Sequence, residues 1–235
     1  MPVSPTDAFV GFCRWRRAHV RHHQLLCLGV LLPLGLCVVL AVGVYQRQSF
    51  CFDLPLLYWI RTLASPNLDA FFVALTQQGY WYGVVGIDVL IVLILLGQRR
   101  WYVAGFAGSS LVGAKLLNIA AKHLFQRERP MLWETIAPAH GFSFPSAHAM
   151  DAMAMLTVLL VLLQGVRWRG LLMMVPGTFV LLLSASRLYL GVHYPSDILG
   201  GWSAALVWVI GLYLLMFRDA DRLLALRSRT DPERD

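Results

Sequence analysis

The chain has 235 residues, of which 58% are hydrophobic and only 14% are charged, and its mean hydropathy is +0.62. A soluble domain carries roughly 25% charged residues, so this composition excludes an ordinary soluble fold and predicts a single membrane domain over residues 1–235. The formal charge of +7 does not indicate nucleic-acid binding, because the basic residues border apolar runs and form no aromatic-interleaved groove. The four cysteines show no CxxC spacing, which predicts neither a disulfide framework nor a metal site.

The first apolar run predicts an uncleaved membrane helix. Residues 1–24 form a polar, arginine-rich lead-in, and residues 25–45 are long enough to cross a hydrocarbon core of about 30 Å. A secretory signal peptide, the alternative, has a shorter apolar region and a small-residue cleavage site. Pro33 is expected to kink this helix.

Residues 46–79 are mixed in character. The stretch 52–63 has an apolar, aromatic body with Asp53 and Arg61 near its ends, which predicts a short helix lying in the membrane interface. A turn is predicted at residues 65–67, where Ser, Pro and Asn follow one another.

Five further spans follow in chain order, over residues 80–97, 101–124, 146–164, 171–189 and 195–217. Small residues on the third span predict close packing against a neighbouring helix: Gly105, Gly108, Ser109 and Gly113. The predicted fold is therefore all-α, a polytopic membrane protein with six transmembrane helices in a core of residues 25–217. Residues 218–235 form an arginine-rich tail.

The distribution of arginine predicts the orientation of these helices. Six crossings place both termini on one side, and thirteen arginines fall in the segments on that side: Arg14, Arg16, Arg17, Arg21, Arg99, Arg100, Arg167, Arg169, Arg218, Arg222, Arg227, Arg229 and Arg234. The opposite loops hold Arg47, Arg61 and Arg127, apart from three basic residues that we assign to chemistry. Cytoplasmic segments are rich in Lys and Arg, so both termini are predicted to be cytoplasmic and the candidate site to face outward.

Three polar motifs then fall at this outward side. In the first, Lys122 lies near the end of the third span, and Arg129 follows seven residues later, just before Pro130. An ammonium point charge and a guanidinium fork are suited to holding a phosphoryl group. A basic helix end whose side chains reach toward the headgroups is the alternative reading.

The second motif starts the fourth span. Ser146 can cap the helix or bind an anion, the amide of Ala147 points outward, and His148 lies in the first turn. An ordinary serine cap with an interfacial histidine explains the same residues.

The third motif joins the last two spans. Arg187 lies at the end of one helix, Pro195 begins the next, and Asp197 can reach back to His193 and fix its tautomer. Ionisable groups are costly at membrane depth, so this group indicates function.

Together the motifs resemble those of the type-2 phosphatidic acid phosphatase family, which includes glucose-6-phosphatase and vanadium haloperoxidases. The family pattern is Lys-x6-Arg-Pro, Pro-Ser-Gly-His and Ser-Arg-x5-His-x3-Asp. The chain matches it over residues 122–197 with every spacing intact. Ala147 replaces the motif's glycine, but alanine keeps the backbone N–H that the family uses there.

The resemblance implies a role for each motif residue. His193 attacks phosphorus and forms a phosphohistidine, Asp197 orients it, and His148 protonates the leaving oxygen and then activates water. The phosphate oxygens are held by the remaining residues: Lys122, Arg129, Ser146, Ala147 and Arg187. No metal or cofactor is implied.

The implied substrate is a membrane lipid phosphate or diphosphate, such as undecaprenyl diphosphate, phosphatidylglycerophosphate, phosphatidic acid or a lipid A phosphate. The implied location is the bacterial inner (plasma) membrane with the site toward the periplasm. A lipid phosphotransferase with the same intermediate and a non-catalytic lipid-binding or transport protein are the alternatives. A haloperoxidase is disfavoured because the site is built into six spans.

Several polar residues lie outside the motifs. Lys115 lies two turns from Lys122, and Asp88 falls in the middle of the second span, so the two are predicted to form a structural ion pair within the membrane. Four others are expected to be ordinary solvated or loop residues, and lining the entrance of the site is the alternative: His123, Glu128, Glu134 and Asp151.

Overall fold

A computed structural model describes residues 26–134 and 136–217, and these residues form helices and loops with no β-strand. The helices, in chain order, are α1 (Cys27–Tyr45), α2 (Asp53–Arg61), α3 (Pro66–Gly97), α4 (Trp101–Phe125), α5 (Ala147–Leu162), α6 (Arg169–Tyr189) and α7 (Pro195–Met216). The predicted lead-in 1–24 and tail 218–235, with nine of the thirteen arginines counted above, lie outside the described residues.

Five of these helices are long and apolar enough to cross a membrane, namely α1, α3, α4, α6 and α7. Helix α5 is also apolar but has only 16 residues, or about 24 Å at 1.5 Å per residue, which is shorter than a hydrocarbon core of about 30 Å. The structure therefore supports an all-helical membrane protein with five candidate spans and one shorter apolar helix.

Helix α3 corrects the predicted second span. The sequence predicted a turn at residues 65–67 and a span from residue 80, but the helix begins at Pro66 and runs without a break to Gly97. Ser65 caps it by accepting a hydrogen bond from the Leu68 N–H at 3.4 Å, and proline at the first position needs no N–H partner. The middle of the helix, Gly79–Val85, is π-helical.

Helices α5 and α7 pack against each other at the centre, and α1, α4 and α6 surround them. Their interface buries large apolar side chains such as Met150, Met155 and Val209. The predicted close packing of α4 holds at Gly113, where an added Cβ would lie 2.4 Å from Trp208, and at Ser109, whose carbonyl accepts from Trp208 Nε1 at 3.3 Å. Gly105 and Gly108 face open space, so for these two residues the prediction was wrong.

The candidate site lies at one end of this bundle, where α1, α4 and α6 end and α5 and α7 begin. The predicted short helix is present as α2, and it packs at the same end against α6 and α7. The opposite end carries the described members of the arginine group, in two short turns and at the first residue of α6: Arg99, Arg100, Arg167 and Arg169.

Candidate active site

Backbone and side-chain contacts bring the three sequence motifs together. The N–H of Ser146, at the start of α5, donates to the carbonyl of Asp197 in α7 at 3.1 Å. Arg129, in the loop after α4, donates through Nη1 to the Val192 carbonyl at 2.7 Å and to His193 Nε2 at 3.1 Å. Residues up to 68 positions apart in sequence therefore line one site.

His193 lies in the loop between α6 and α7 and is only 2% exposed. Its Nδ1 lies 3.3 Å from Asp197 Oδ2, while its Nε2 faces the guanidinium of Arg129. Because a guanidinium can only donate, Nε2 must accept, and the ring proton must be on Nδ1. The lone pair of Nε2 thus points toward the cations of the site.

The surroundings of His193 favour its neutral form. Burial, followed by the charges of Arg187, Arg129 and Lys122, holds the pKa of His193 well below its usual range. The Nε2 lone pair is therefore available at neutral pH, which a nucleophilic imidazole requires.

The cations are held in place by groups of the surrounding loops and helices. Lys122 Nζ donates to the Phe142 carbonyl at 2.8 Å, and Arg129 Nε donates to the Gly141 carbonyl at 2.9 Å. Arg187, which is 5% exposed, donates through Nη1 to the Thr76 hydroxyl of α3. The loop between α4 and α5 thus folds back and fixes two of the three positive charges.

Two buried donors at the site have no hydrogen-bond partner among the described residues, the Ser146 hydroxyl and Arg187 Nε. Burying unpaired donors costs free energy, so their presence beside the cations and His193 fits an oxyanion ligand. The first backbone N–H groups of α5 begin at Ala147 and favour an anion at the same helix start. Ala147 has ordinary helical geometry, so glycine is not needed there.

His148 lies in the first turn of α5 and is close enough to Arg187, His193 and Lys122 to interact electrostatically with all three. Both motif histidines therefore lie at the same end of the bundle. The ring of Tyr80, from the π-helical part of α3, packs against His148 with the ring centroids 4.3 Å apart. Sequence reasoning missed this contact because Tyr80 stood at the supposed start of a span.

The contacts of Lys115 and Asp151, two polar residues of α4 and α5, differ from those predicted from the sequence. Lys115 Nζ lies 3.7 Å from Asp151 Oδ2, so its partner is Asp151 and not Asp88. Asp151 is 5% exposed and accepts a hydrogen bond from the Tyr80 hydroxyl at 2.6 Å, so the prediction that it is solvated was wrong. The other three residues of that group are exposed, as predicted: His123, Glu128 and Glu134.

Two further residues that the sequence analysis did not assign to the site contact Asp197 or its helix. Arg127 donates through Nη1 to Asp197 Oδ1 at 2.6 Å and through Nη2 to Asp53 Oδ2 at 2.9 Å. The sequence placed Arg127 in an outer loop and Asp53 at the end of an interfacial helix. An acidic residue at the start of an apolar stretch was the available signal, but it did not identify a partner.

Comparisons with known proteins agree with this geometry. The family model of the PAP2 superfamily matches residues 101–221. The lipid A 4'-phosphatase of Bacteroides thetaiotaomicron is 30% identical over 70% of this chain and 76% of its own length. An undecaprenyl-diphosphatase of Bacillus subtilis is 28% identical over 65% of this chain and 76% of its own length.

Two solved structures are similar in fold. The transmembrane PAP2 type phosphatidylglycerolphosphate phosphatase from Bacillus subtilis superposes with a TM-score of 0.65 at 23% identity, covering 81% of this chain and 96% of that one. Aquifex aeolicus LpxE gives a TM-score of 0.58 at 25% identity, covering 70% and 96%. With the family match over residues 101–221, these likenesses show that the chain is an integral membrane protein of the PAP2 superfamily, whose named relatives are phosphatases of lipid phosphates.

Proposed function

We propose that the protein hydrolyses a lipid phosphate or diphosphate through a phosphohistidine intermediate. The observation that carries this proposal is the position of His193 Nε2, whose lone pair faces Arg129 beside the unpaired donors of Ser146 and Arg187. Relatives named for lipid A, phosphatidylglycerophosphate and undecaprenyl diphosphate support this class of substrate.

In the first step, Nε2 of His193 attacks phosphorus, and the bond from phosphorus to the leaving oxygen breaks. His148 donates its proton to that oxygen, so the lipid leaves as an alcohol or, from a diphosphate, as a monophosphate. Asp197, at 3.3 Å from Nδ1, stabilises the positive charge that develops on the ring. In the second step, water attacks phosphorus, the bond from phosphorus to Nε2 of His193 breaks, His148 takes the proton of the water, and inorganic phosphate is released.

The phosphate oxygens are held by charge and by backbone donors. Lys122, Arg129 and Arg187 provide three positive charges around the nucleophile, which suits a dianionic phosphoryl group. The Ser146 hydroxyl and the Ala147 N–H provide neutral donors at the start of α5. These groups stabilise the charge that builds on the oxygens in the transition state.

An apolar cavity beside the site is suited to the lipid tail. It has a volume of about 240 Å³ and lies between α1, α4 and α7, reaching Pro145 and Met150 on either side of Ser146. Its other lining residues are apolar or weakly polar: Leu34, Cys37, Leu117, Ala121, Ala204, Val207 and Trp208. We infer that the headgroup enters the cation site while part of the tail stays in this cavity.

We further propose that α5 completes six crossings, that both termini are cytoplasmic, and that the site faces the periplasm from the bacterial inner membrane. The described arginines of the inside group, Arg99, Arg100, Arg167 and Arg169, lie at the end of the bundle opposite the site. Cytoplasmic ends of membrane helices are enriched in such residues, which supports an outward-facing site.

Purified protein in detergent, assayed with EDTA, tests the proposal. The panel contains undecaprenyl diphosphate, phosphatidylglycerophosphate, phosphatidic acid and lipid A, and release of inorganic phosphate is measured. We expect release from at least one lipid, loss of turnover in His193→Ala, and wild-type turnover in His123→Ala, whose histidine is exposed. Phosphate release that survives in His193→Ala, or none from any lipid, would refute the proposal.

A further inference from the structure

A buried chain of charges connects helix α2 to the residue that orients the nucleophile. Asp53, the first residue of α2, accepts from Arg127 Nη2 at 2.9 Å, and Arg127 Nη1 donates to Asp197 Oδ1 at 2.6 Å. The exposed fractions of the side chains are 3% for Asp53, 14% for Arg127 and 0% for Asp197. The two carboxylates thus share one guanidinium as their counter-charge.

The guanidinium has little freedom to adopt another position. It lies over the ring of Tyr194 at 4.1 Å from the ring centroid, and its Nη1 also donates to the Ser196 hydroxyl at 2.7 Å. Removing it would leave two buried carboxylates near each other without a counter-charge, which is strongly unfavourable. Asp197 would then lose the contact that fixes its Oδ1 and, with it, the direction of Oδ2 toward His193.

Asp53 also anchors the helix that carries Asp197. The N–H of Ser196 donates to Asp53 Oδ1 at 2.9 Å, and the Ser196 hydroxyl donates to Oδ2 at 2.6 Å. The preceding residue is Pro195, which has no N–H, so Ser196 carries the first free N–H of α7. The Asp53 carboxylate, which belongs to α2, therefore caps α7 by accepting from the N–H of its second residue.

We propose that Arg127 and Asp53 are positioning residues for the reaction: they hold Asp197 in the orientation that keeps the proton of His193 on Nδ1. Arg127 occupies an unspecified position within the first motif and Asp53 lies outside all three, so the motif pattern assigns a role to neither residue. The inference rests on the proposed function, because it takes His193 as the nucleophile. It makes helix α2 part of the catalytic geometry and not only a surface element.

Two phosphate-like probes separate positioning from binding. Inorganic phosphate stays tetrahedral and depends on the cations, whereas orthovanadate gains affinity by forming a five-coordinate adduct with a nucleophilic nitrogen, as a transition-state analogue does. Affinities for both probes are measured by calorimetry on the purified protein, together with kcat for the panel lipid that the wild type hydrolyses fastest and with Tm. The variants are Arg127→Gln, Arg127→Lys, Asp53→Asn and the double variant Arg127→Gln/Asp53→Asn. The control is Arg47→Gln, at an exposed arginine of the loop between α1 and α2.

We expect Arg127→Gln and Asp53→Asn to lose about 10- to 100-fold in vanadate affinity and in kcat, the loss common for residues that orient a catalytic group. Phosphate affinity should stay within about twofold, because both residues act on the nucleophile and not on the cations. Arg127→Lys should remain impaired, since one ammonium cannot reach both carboxylates. The double variant should be no worse than the worse single variant, because both act through Asp197.

Three results would overturn the positioning role: wild-type kcat and vanadate affinity in Arg127→Gln, full activity in Arg127→Lys, or equal losses for vanadate and phosphate. A loss that merely follows a lower Tm and affects both probes also counts against it. Failure of the proposed function gives a different pattern. In that case the wild type itself binds vanadate no tighter than phosphate, and His193→Ala changes neither affinity.

Discussion

Replacing Asp197 by asparagine tests how the orientation of His193 is set. The donors on the carboxylate include Arg127 Nη1 on Oδ1 at 2.6 Å, and Tyr194 N at 2.8 Å and His193 Nδ1 at 3.3 Å on Oδ2. An asparagine amide has only one acceptor oxygen. The charged guanidinium of Arg127 is the strongest of the donors, so we expect it to take the hydrogen bond to that oxygen. The NH₂ group then faces His193 Nδ1, which must accept, so the ring proton moves to Nε2 and the attacking lone pair is lost.

The size of this effect follows from the geometry. The same substitution in an acid–histidine pair that orients a serine nucleophile costs about 10⁴ in kcat, or about 5.5 kcal/mol. The contact from Nδ1 to Oδ2 is 3.3 Å here, longer than the roughly 2.7–2.9 Å of a strong charge-assisted bond. We therefore expect Asp197→Asn to lower kcat by about 10³, or about 4 kcal/mol, with KM little changed.

The assay compares steady-state kcat and KM of Asp197→Asn and wild type. The Tm of each protein is measured to show that both are folded at the assay temperature. Asp69→Asn is the matched control, because Asp69 also accepts a short hydrogen bond, from the Tyr189 hydroxyl at 2.6 Å, but does not contact His193. A kcat of Asp197→Asn within about tenfold of wild type, at unchanged Tm, would refute the tautomer argument.

Three further predictions concern the cations, the packing and the pH dependence. Lys122→Ala or Arg187→Ala should raise the barrier by about 2–4 kcal/mol, seen as a fall in kcat/KM, and a change below threefold would contradict their role. Gly201→Ala should lower the free energy of unfolding by about 1–3 kcal/mol, because the added Cβ would lie 2.9 Å from the Ser146 carbonyl oxygen. In the control Gly211→Ala the added Cβ meets open space, so Tm should stay unchanged. Since the pKa of His193 is held below 6.5, the acidic limb of kcat/KM, corrected for phosphate ionisation near pH 6, should lie below pH 6.5. An acidic limb with its midpoint above that value would be inconsistent with a buried neutral nucleophile, whereas an alkaline limb is expected because His148 must carry its proton to act as the acid.

The sequence predicted most of the helices because hydropathy and proline positions mark them directly. Pro195 and the apolar run after it located α7 to within one residue, and the start of α5 fell at the predicted serine. The prediction failed at α3, where Ser65 and Pro66 were taken for a turn although serine before proline is also a helix start. The choice depended on residues 66–79 packing against α6, which hydropathy alone does not show.

Within the site, the motif spacing identified the residues around His193 but not those that support them. Arg127 and Asp53 are 74 positions apart, and their pairing depends on where α2 docks against α7. Likewise Lys115 had two possible acidic partners, and only the side-to-side packing of α4 and α5 selects Asp151. Local spacing predicts which groups share a turn, whereas ion pairs between helices require the tertiary arrangement.

The most direct test of the account is to trap the covalent intermediate. Enzyme mixed with its fastest lipid substrate is quenched in base within milliseconds, because a phosphohistidine survives alkali, and the peptides are analysed by mass spectrometry. The account predicts one phosphoryl group on His193 in the wild type and none in His193→Ala. Turnover with the phosphoryl group on another residue, or with His193 never modified under conditions that trap it in a known phosphohistidine enzyme, would contradict it.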